Sequence, residues 1–206
     1  MRRGAAFAVG LLLACGAGSA AGPSGSRPAF PDALVQAALE QTRHPTRYDG
    51  AYRRLAYPGG DVPADVGVCT DVVIRAYRAL GVDFQVLVHE DMARAFDAYP
   101  HLWGMRGPDA SIDHRRVPNL RTYLERAGAR LPVSRDPADY RAGDLVTWSL
   151  PGNLPHIGIV TGLVSEAGRP RIVHNIGRGP EIEDMLFDFP ITGHYRFAGA
   201  RTPGGG

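Results

Sequence analysis

The chain has 206 residues and no lysine; its 23 cationic side chains, histidine aside, are all arginine. That absence excludes a P-loop, whose lysine reaches the nucleotide phosphates, and any Schiff-base mechanism. Cysteine is almost as scarce, with Cys15 and Cys69 alone. No apolar run approaches the ~20 residues that a membrane-spanning helix needs. An excess of one charge is missing too. The formal charge is +2 and falls to zero once Arg2 and Arg3 are set aside with the leader described next, so nothing drives the protein onto nucleic acid. No internal repeat or second domain is visible, and the length suits one domain with a full core.

What is present begins with that leader. Residues 1–20 read as a signal peptide, with Arg2 and Arg3, then an apolar stretch from Ala5 to Ala14, then small residues from Gly16 to Ala21. Leu12-Leu13-Ala14-Cys15 also resembles a bacterial lipoprotein box, in which Cys15 takes the lipid. Plain secretion and lipid attachment both stay open, and membrane contact is expected only through that lipid. Residues 21–30, rich in Gly, Ser and Pro, form a flexible tether. Residues 31–200 form a single domain, and residues 201–206 a disordered tail.

With Cys15 removed or acylated, Cys69 is left without a partner. A leftover thiol in an exported chain is a candidate reactive group. From it, the apolar positions Cys69, Val72, Val73, Ala76, Tyr77 and Leu80 follow one helical face, and Gly81 ends the helix. Pro63 and Gly67 lie just upstream, so Cys69 sits at the helix N-terminus, where unpaired N–H groups and the helix dipole lower a thiol's pKa. The same position also suits a small buried hydrophobe.

Amphipathic helices are expected at residues 31–41 and 118–127, the second closed by Gly128. Tyr57-Pro58-Gly59-Gly60-Asp61 is a turn. Val82 to His89 reads as a strand or extended connection, and Glu90 to Tyr99 as a short helix. Residues 100–117 show no period but carry His101, Trp103, Asp113, His114, Arg115 and Arg116, a composition that suits the wall of a site. Residues 144–149, 156–163, 171–176 and 191–197 read as consecutive antiparallel strands. Helices first and strands after them give an α+β domain.

A cysteine nucleophile needs a base, and the base needs a group that orients it. Histidine suits the first role because its pKa lies near neutrality. His156 heads a strand, and if it faces the Cys69 helix then Gly158 and Val160 do too, the glycine admitting the helix closely. His174 and Asn175 point to opposite sides of their strand, so one of them completes a triad. Each histidine equally suits a satisfied, partly buried side chain.

These residues together are familiar. The helix opening at Cys69, Gly143-Asp144-Leu145-Val146-Thr147-Trp148, His156-Ile157-Gly158-Ile159-Val160 and Val173-His174-Asn175 resemble the NlpC-type cell-wall cysteine peptidases, and Tyr57-Pro58-Gly59-Gly60 resembles their tyrosine–glycine–glycine element. More closely, residues 30–198 resemble domain-of-unknown-function family 1287, through Val66 to Gly81, His89-Glu90-Asp91-Met92, Ile112 to Arg116 and Ile191 to Arg196. The resemblance implies a papain-like core with helices leading and the nucleophile helix packed on an antiparallel sheet. It implies Cys69 as nucleophile, His156 as base, His174 as its orienting group and Tyr57 as oxyanion support. It implies amide cleavage in peptidoglycan stem peptides, in the periplasm or cell envelope, with no cofactor. Arg115 and Arg116 would then clamp a substrate carboxylate and Asp113 hold an amine, although solvated arginines are common in loops. The chain departs from the peptidase pattern in having Val68-Cys69-Thr70-Asp71 where Asp-Cys-Ser-Gly is usual. Asp71 then either favours the helix N-terminus or, close to sulfur, raises the thiol pKa.

Two other classes remain. A metal hydrolase would draw on His89, Glu90, Asp91, Asp113, His114, His174 and His194, none of which form an i, i+4 zinc-binding pair. A non-catalytic envelope-binding module would keep the fold without needing Cys69, His156 and His174 together.

Overall fold

The computed structural model describes Met1 and residues 28–199. The expected leader, the Cys15 lipobox, most of the tether and the tail lie outside the described residues. Among the described residues no helix is long and apolar enough to cross a membrane.

Helix α1 (Phe30–Gln41) has Pro31 and Asp32 in its first turn and buries Leu34, Val35 and Ala38, as its period predicts. Two short strands, β1 (Arg47–Tyr48) and β2 (Val66–Gly67), then pair in parallel, setting Tyr48 level with Gly67. Helix α2 (Cys69–Arg78) follows directly. It buries every residue from Cys69 to Ile74, with Ala76 and Tyr77, so it is enclosed on more than one side. Gly81 ends it in the left-handed conformation, φ 84°. The extended segment expected after it is not formed. Asp83 accepts a hydrogen bond from the Gln85 N–H and caps α3 (Phe84–Arg94), and Phe84, Val88 and Met92 turn inward at helical spacing. The short helix expected over Glu90 to Tyr99 is the end of α3 plus a 3-10 turn at Phe96–Ala98. Helix α4 (Val117–Arg126) matches its expected position.

The sheet comprises β3 (Arg130–Leu131), β4 (Leu145–Leu150), β5 (Leu154–Val164), β6 (Pro170–His174), β7 (Glu181–Glu183) and β8 (Ile191–Tyr195). Its order is β3-β8-β4-β5-β6-β7, with every neighbouring pair antiparallel. Strands β4, β5 and β6 are consecutive as expected. The last long strand, β8, instead returns beside β4, and β3 and β7 are too short to carry a readable period.

Both sheet faces are covered. Leu145, Ile157, Ile159, Val173 and Tyr195 join α1, α2, α3 and α4 in the larger core. Val146, Trp148, Val160 and Ile172 face the other way, against Tyr140, Met185 and Leu186. Alternation along β5 therefore gives Ile157 and Ile159 to the helices, and His156, Gly158 and Val160 to the far side.

One buried charge fastens the start of β4 to the end of its neighbour β8. Asp144, fully buried, accepts hydrogen bonds from Arg196 Nε and Nη2 at 2.7 and 2.8 Å, from His194 Nε2 at 2.8 Å and from the Arg141 N–H at 2.8 Å. Burial pushes its pKa up, but the bonds from His194 and Arg196 outweigh this and hold it below the usual carboxylate range. A depressed folded-state pKa contributes stability above the unfolded value and loses it as pH falls through the folded value. Replacing Asp144 by Ala leaves buried His194 and the Arg141 N–H without their acceptor, while Arg196, 41% exposed, stays solvated. The change should cost about 1–3 kcal/mol at pH 7. Urea unfolding of both proteins checks this, and the gap between them should close below about pH 4.

Candidate active site

Cys69 opens α2 and is 5% exposed. Val68 precedes it in an extended conformation, and its N–H donates to Asp71 Oδ2 at 2.7 Å, fixing the entry to the helix. Burial is the largest influence on the thiol and raises its pKa. The N–H groups of Ile157, Thr70 and Cys69 itself oppose this, Asp71 adds to it, and the thiol ends at about 11. The lowered pKa expected at a helix N-terminus is thus overturned by desolvation, with a smaller contribution from Asp71.

The influence of the Ile157 N–H on the thiol has a reason rooted in the sheet. Val160 donates toward β4, to Asp144 O, so by alternation the N–H of Ile157 faces β6. The β5–β6 ladder runs only as far as Ile159 opposite Val173. Beyond it β6 parts from β5 while still pairing with β7, and the Ile157 N–H, left out of the ladder, favours the Cys69 thiolate.

His156, the residue before Ile157, lies on the far face beside Trp148, ring centroids 5.9 Å apart. Its Nε2 is 3.0 Å from His174 Nδ1, and His174 Nε2 is 3.0 Å from Glu183 Oε2. Glu183 Oε1 in turn accepts from Arg178 Nη2 at 2.9 Å. Burial lowers the His156 pKa to about 3, helped by His174, and also lowers that of His174 against the pull of Glu183 and Glu181. Both imidazoles are neutral at pH 7. Among the described residues neither His156 Nδ1 nor the Cys69 thiol has a side-chain hydrogen-bond partner. Gly158 does not admit a helix, as its pattern suggested. A Cβ there would meet Ile172 Cγ2 at 2.6 Å and His174 Cβ at 3.1 Å, so the glycine makes room for the histidine pair.

Asn175 is not in this chain of bonds. Its Nδ2 donates to Gly67 O at 3.3 Å, and its Oδ1 accepts from the N–H groups of Gly177 and Gly179. It ties the turn after β6 to the backbone two residues before Cys69.

Tyr57 is not beside the sulfur. Its turn is pinned to the start of α3, where Asp83 accepts from the Gly59 N–H and Gln85 from the Gly60 N–H, and its ring stands edge-on to His89 with centroids 5.0 Å apart. The tyrosine near Cys69 is Tyr48. Its pKa is raised to about 12 by burial and by the charges of Cys69 and Asp71. Nothing in the local sequence marked Tyr48, because the pairing of β1 with β2 brings it there.

The expected substrate clamp is also corrected. Arg115 donates from Nε and Nη2 to the two carboxylate oxygens of Asp71, both at 2.8 Å, and the two side chains are each 2% exposed. Asp113 is buried, accepts from the Asp109 N–H and pairs with Arg116 at 3.3 Å. Arg116 lies over the Trp103 ring, 4.2 Å from its centroid. These charges hold the loop together. Of the ligands weighed for a metal, Asp91 bonds Tyr99 and Arg126, and His194 bonds Asp144. Among the described residues the one grouping with ligand atoms within 4.8 Å of one another is His174, Glu181 and Glu183, and Arg178 already bridges its two carboxylates. A cleft of about 460 Å³, lined by Gln41, His44, Thr46, Asp65 and Arg75 among others, includes none of Cys69, His156 and His174 in its wall.

A cysteine at the start of a helix packed on the central strands of an antiparallel sheet, with a histidine pair on two of those strands, defines an α+β domain. The chain belongs to the family described as "Domain of unknown function (DUF1287)", whose model matches residues 35–197. It is similar to "Uncharacterized protein YijF" of Escherichia coli (strain K12), 50% identical over 165 residues and 80% of each chain. Two solved Trichomonas vaginalis structures are also similar. NlpC1 shares 13% identity at a TM-score of 0.44 over 81% of this chain and 43% of its own. NlpC2 shares 14% at 0.41 over 82% and 50%. The chain thus spans half or less of those two structures.

The thiol environment yields a measurable expectation. With a pKa near 11, Cys69 holds roughly 100-fold less thiolate near neutral pH than an ordinary cysteine. Its alkylation by iodoacetamide should be slower than that of free cysteine by at least that factor, and should keep climbing past pH 9. In denaturant the ordinary rate should return. A raised thiol pKa also means stability that is complete at neutral pH and lost as pH rises toward 11. A native rate that levels off at or below pH 8 would refute this account.

Proposed function

We propose that this protein is an exported cysteine peptidase or amidase of the periplasm or cell envelope that cleaves amide bonds in peptidoglycan stem peptides. The observation that carries the reading is the position of Cys69. The Ile157 N–H favours its thiolate, Ile157 stands next to His156 in the chain, and His156 is bonded to His174. A nucleophile, a base and a group that orients the base are what acyl transfer through a thiol requires.

Both Cys69 and His156 start neutral, so proton transfer accompanies attack. Cys69 Sγ forms a bond to the amide carbon, the thiol proton passes to His156, and the carbonyl oxygen becomes an oxyanion. N–H groups at the start of α2 and the Tyr48 hydroxyl, in place of Tyr57, stabilise that oxygen. His156 then gives its proton to the departing amine as the C–N bond breaks. Water, deprotonated by His156, releases the acyl group and restores the thiol. No step calls for a cofactor. The export signal and the family resemblance support cell-wall peptides as the substrate class.

Digestion of purified sacculi and soluble stem-peptide fragments by the mature protein, read by mass spectrometry, tests this. New fragments should appear with the wild type and fall by about 10³-fold or more in Cys69→Ala and His156→Ala. Equal cleavage by wild type and Cys69→Ala would remove Cys69 as nucleophile. No cleavage by the wild type across substrates and pH would favour an envelope-binding module.

A further inference from the structure

Glu183 lies outside every motif that drew attention to Cys69 and the histidines, yet it ends their hydrogen-bond chain. We propose that Glu183 is a positioning residue that sets the tautomers of two imidazoles in series, leaving the unprotonated nitrogen of His156 at Nδ1. The assignment rests on hydrogen-bond direction alone; its consequence for catalysis rests on the thiol-hydrolase reading above.

The direction follows from counting protons. Arg178 only donates, and its Nη2 lies 2.9 Å from Glu183 Oε1. Glu183 is therefore held as an acceptor, and its Oε2, 3.0 Å from His174 Nε2, requires a proton on that nitrogen. A neutral imidazole carries one N–H and one lone pair. His174 Nδ1 is then the lone pair, and His156 Nε2, 3.0 Å away, must supply the hydrogen. His156 Nδ1 is left bare. It is the ring nitrogen without a partner among the described residues, and it is able to accept the Cys69 proton.

Reversing the terminal group reverses the series. In Glu183→Gln the amide offers one oxygen and one NH2. Arg178 has no lone pair to receive the NH2, so the oxygen turns to Arg178 and the NH2 donates to His174 Nε2. His174 must then carry its proton on Nδ1 and donate to His156 Nε2, which puts the remaining proton of His156 on Nδ1. The base is lost without removal of a single ring. Arg178 is 72% exposed, so Arg178→Leu is compatible with folding. In the Arg178→Leu, Glu183→Gln double variant the amide is free to present its oxygen to His174 and restore the first arrangement.

Long-range ¹H–¹⁵N correlation spectra of protein labelled in histidine, at pH 7 with EDTA to keep metal off His174, read the tautomers directly. The expected result is Nε2–H for His156 and His174 in the wild type, Nδ1–H for both in Glu183→Gln, and a return to Nε2–H in the double variant. An Nδ1–H on either ring in the wild type, or unchanged tautomers in Glu183→Gln, would overturn the proposal. Activity gives an independent readout, with a loss of about 10²–10⁴-fold in Glu183→Gln and partial recovery in the double variant. If the tautomers follow the expectation while no variant, wild type included, cleaves stem peptides, the assignment stands and the peptidase reading fails.

Discussion

The buried pair between Asp71 and Arg115 is the interaction on which the candidate site depends. Asp71 lies in the first turn of α2 and holds the Val68 N–H as well as the guanidinium. Arg115 comes from the 3-10 turn at Asp113–Arg115, and its Nη2 also reaches Asp49 O, just past β1. Thr70 adds a bond from its hydroxyl to Arg115 O at 3.0 Å. Three segments distant in sequence are thus fixed around Cys69 by one bidentate contact. Such a pair contributes little net stability over a well-packed apolar replacement, but breaking one half of it is costly. Its value here is positional. It also accounts for an acidic side chain being tolerated in the first turn of α2: Asp71 is answered by an arginine from another segment.

That frame encloses Cys69 closely, and enclosure decides its chemistry. Three N–H groups favour a thiolate, but desolvation outweighs them. The same desolvation keeps His156 neutral. The two effects act in one direction, toward an uncharged thiol and imidazole, and against a resting ion pair. In the proposed reaction charge would appear only when a substrate carbonyl is present to receive it, which would place the electrostatic work on the oxyanion and on groups such as Tyr48.

Much of this was legible in the sequence wherever local pattern determines structure. The period from Cys69 to Leu80, the Gly81 and Gly128 stops and the alternation in β4, β5 and β6 placed the helix, its cysteine and the two histidine strands. What the sequence concealed depends on contacts between distant segments. Tyr57 has the right spacing before Cys69, but Asp83 and Gln85 draw its turn to α3. Tyr48 has no such spacing, and two residues of parallel pairing bring it to the site. Arg115 reads as a surface arginine until Asp71 is seen buried beside it. Val82 to His89 reads as extended because an Asp83 cap is weak evidence without the core that Phe84, Val88 and Met92 fill. Glu183 sits in a three-residue strand whose partner, β6, gives it its meaning. The raised thiol pKa was hidden for the same reason, since burial is a property of the assembled domain.

The divergence of β5 and β6 bears on how a cysteine on the helix face and imidazoles on the opposite face would act together in the proposed reaction. An unbroken sheet would keep them apart, with every β5 N–H spent on a neighbouring strand. Here the ladder stops at Ile159 and Val173, and Asn175 turns the chain away. Its side chain closes the turn through Gly177 and Gly179 and anchors it to Gly67. Gly179, with φ 99°, passes so close to Thr46 that a Cβ would lie 3.1 Å from its carbonyl oxygen. The turn therefore binds together the entry to α2 and the approach to β1. What it leaves open is a short length of β5 with one N–H, that of Ile157, toward the gap, Pro155 having none, and this N–H favours the Cys69 thiolate. His156 leaves the strand one residue earlier and His174 ends β6 where the gap begins. The break in the ladder costs a pair of backbone hydrogen bonds, recovered in part by the Asn175 side chain, and in the proposed reaction it is the feature that would let two sides of a sheet work together.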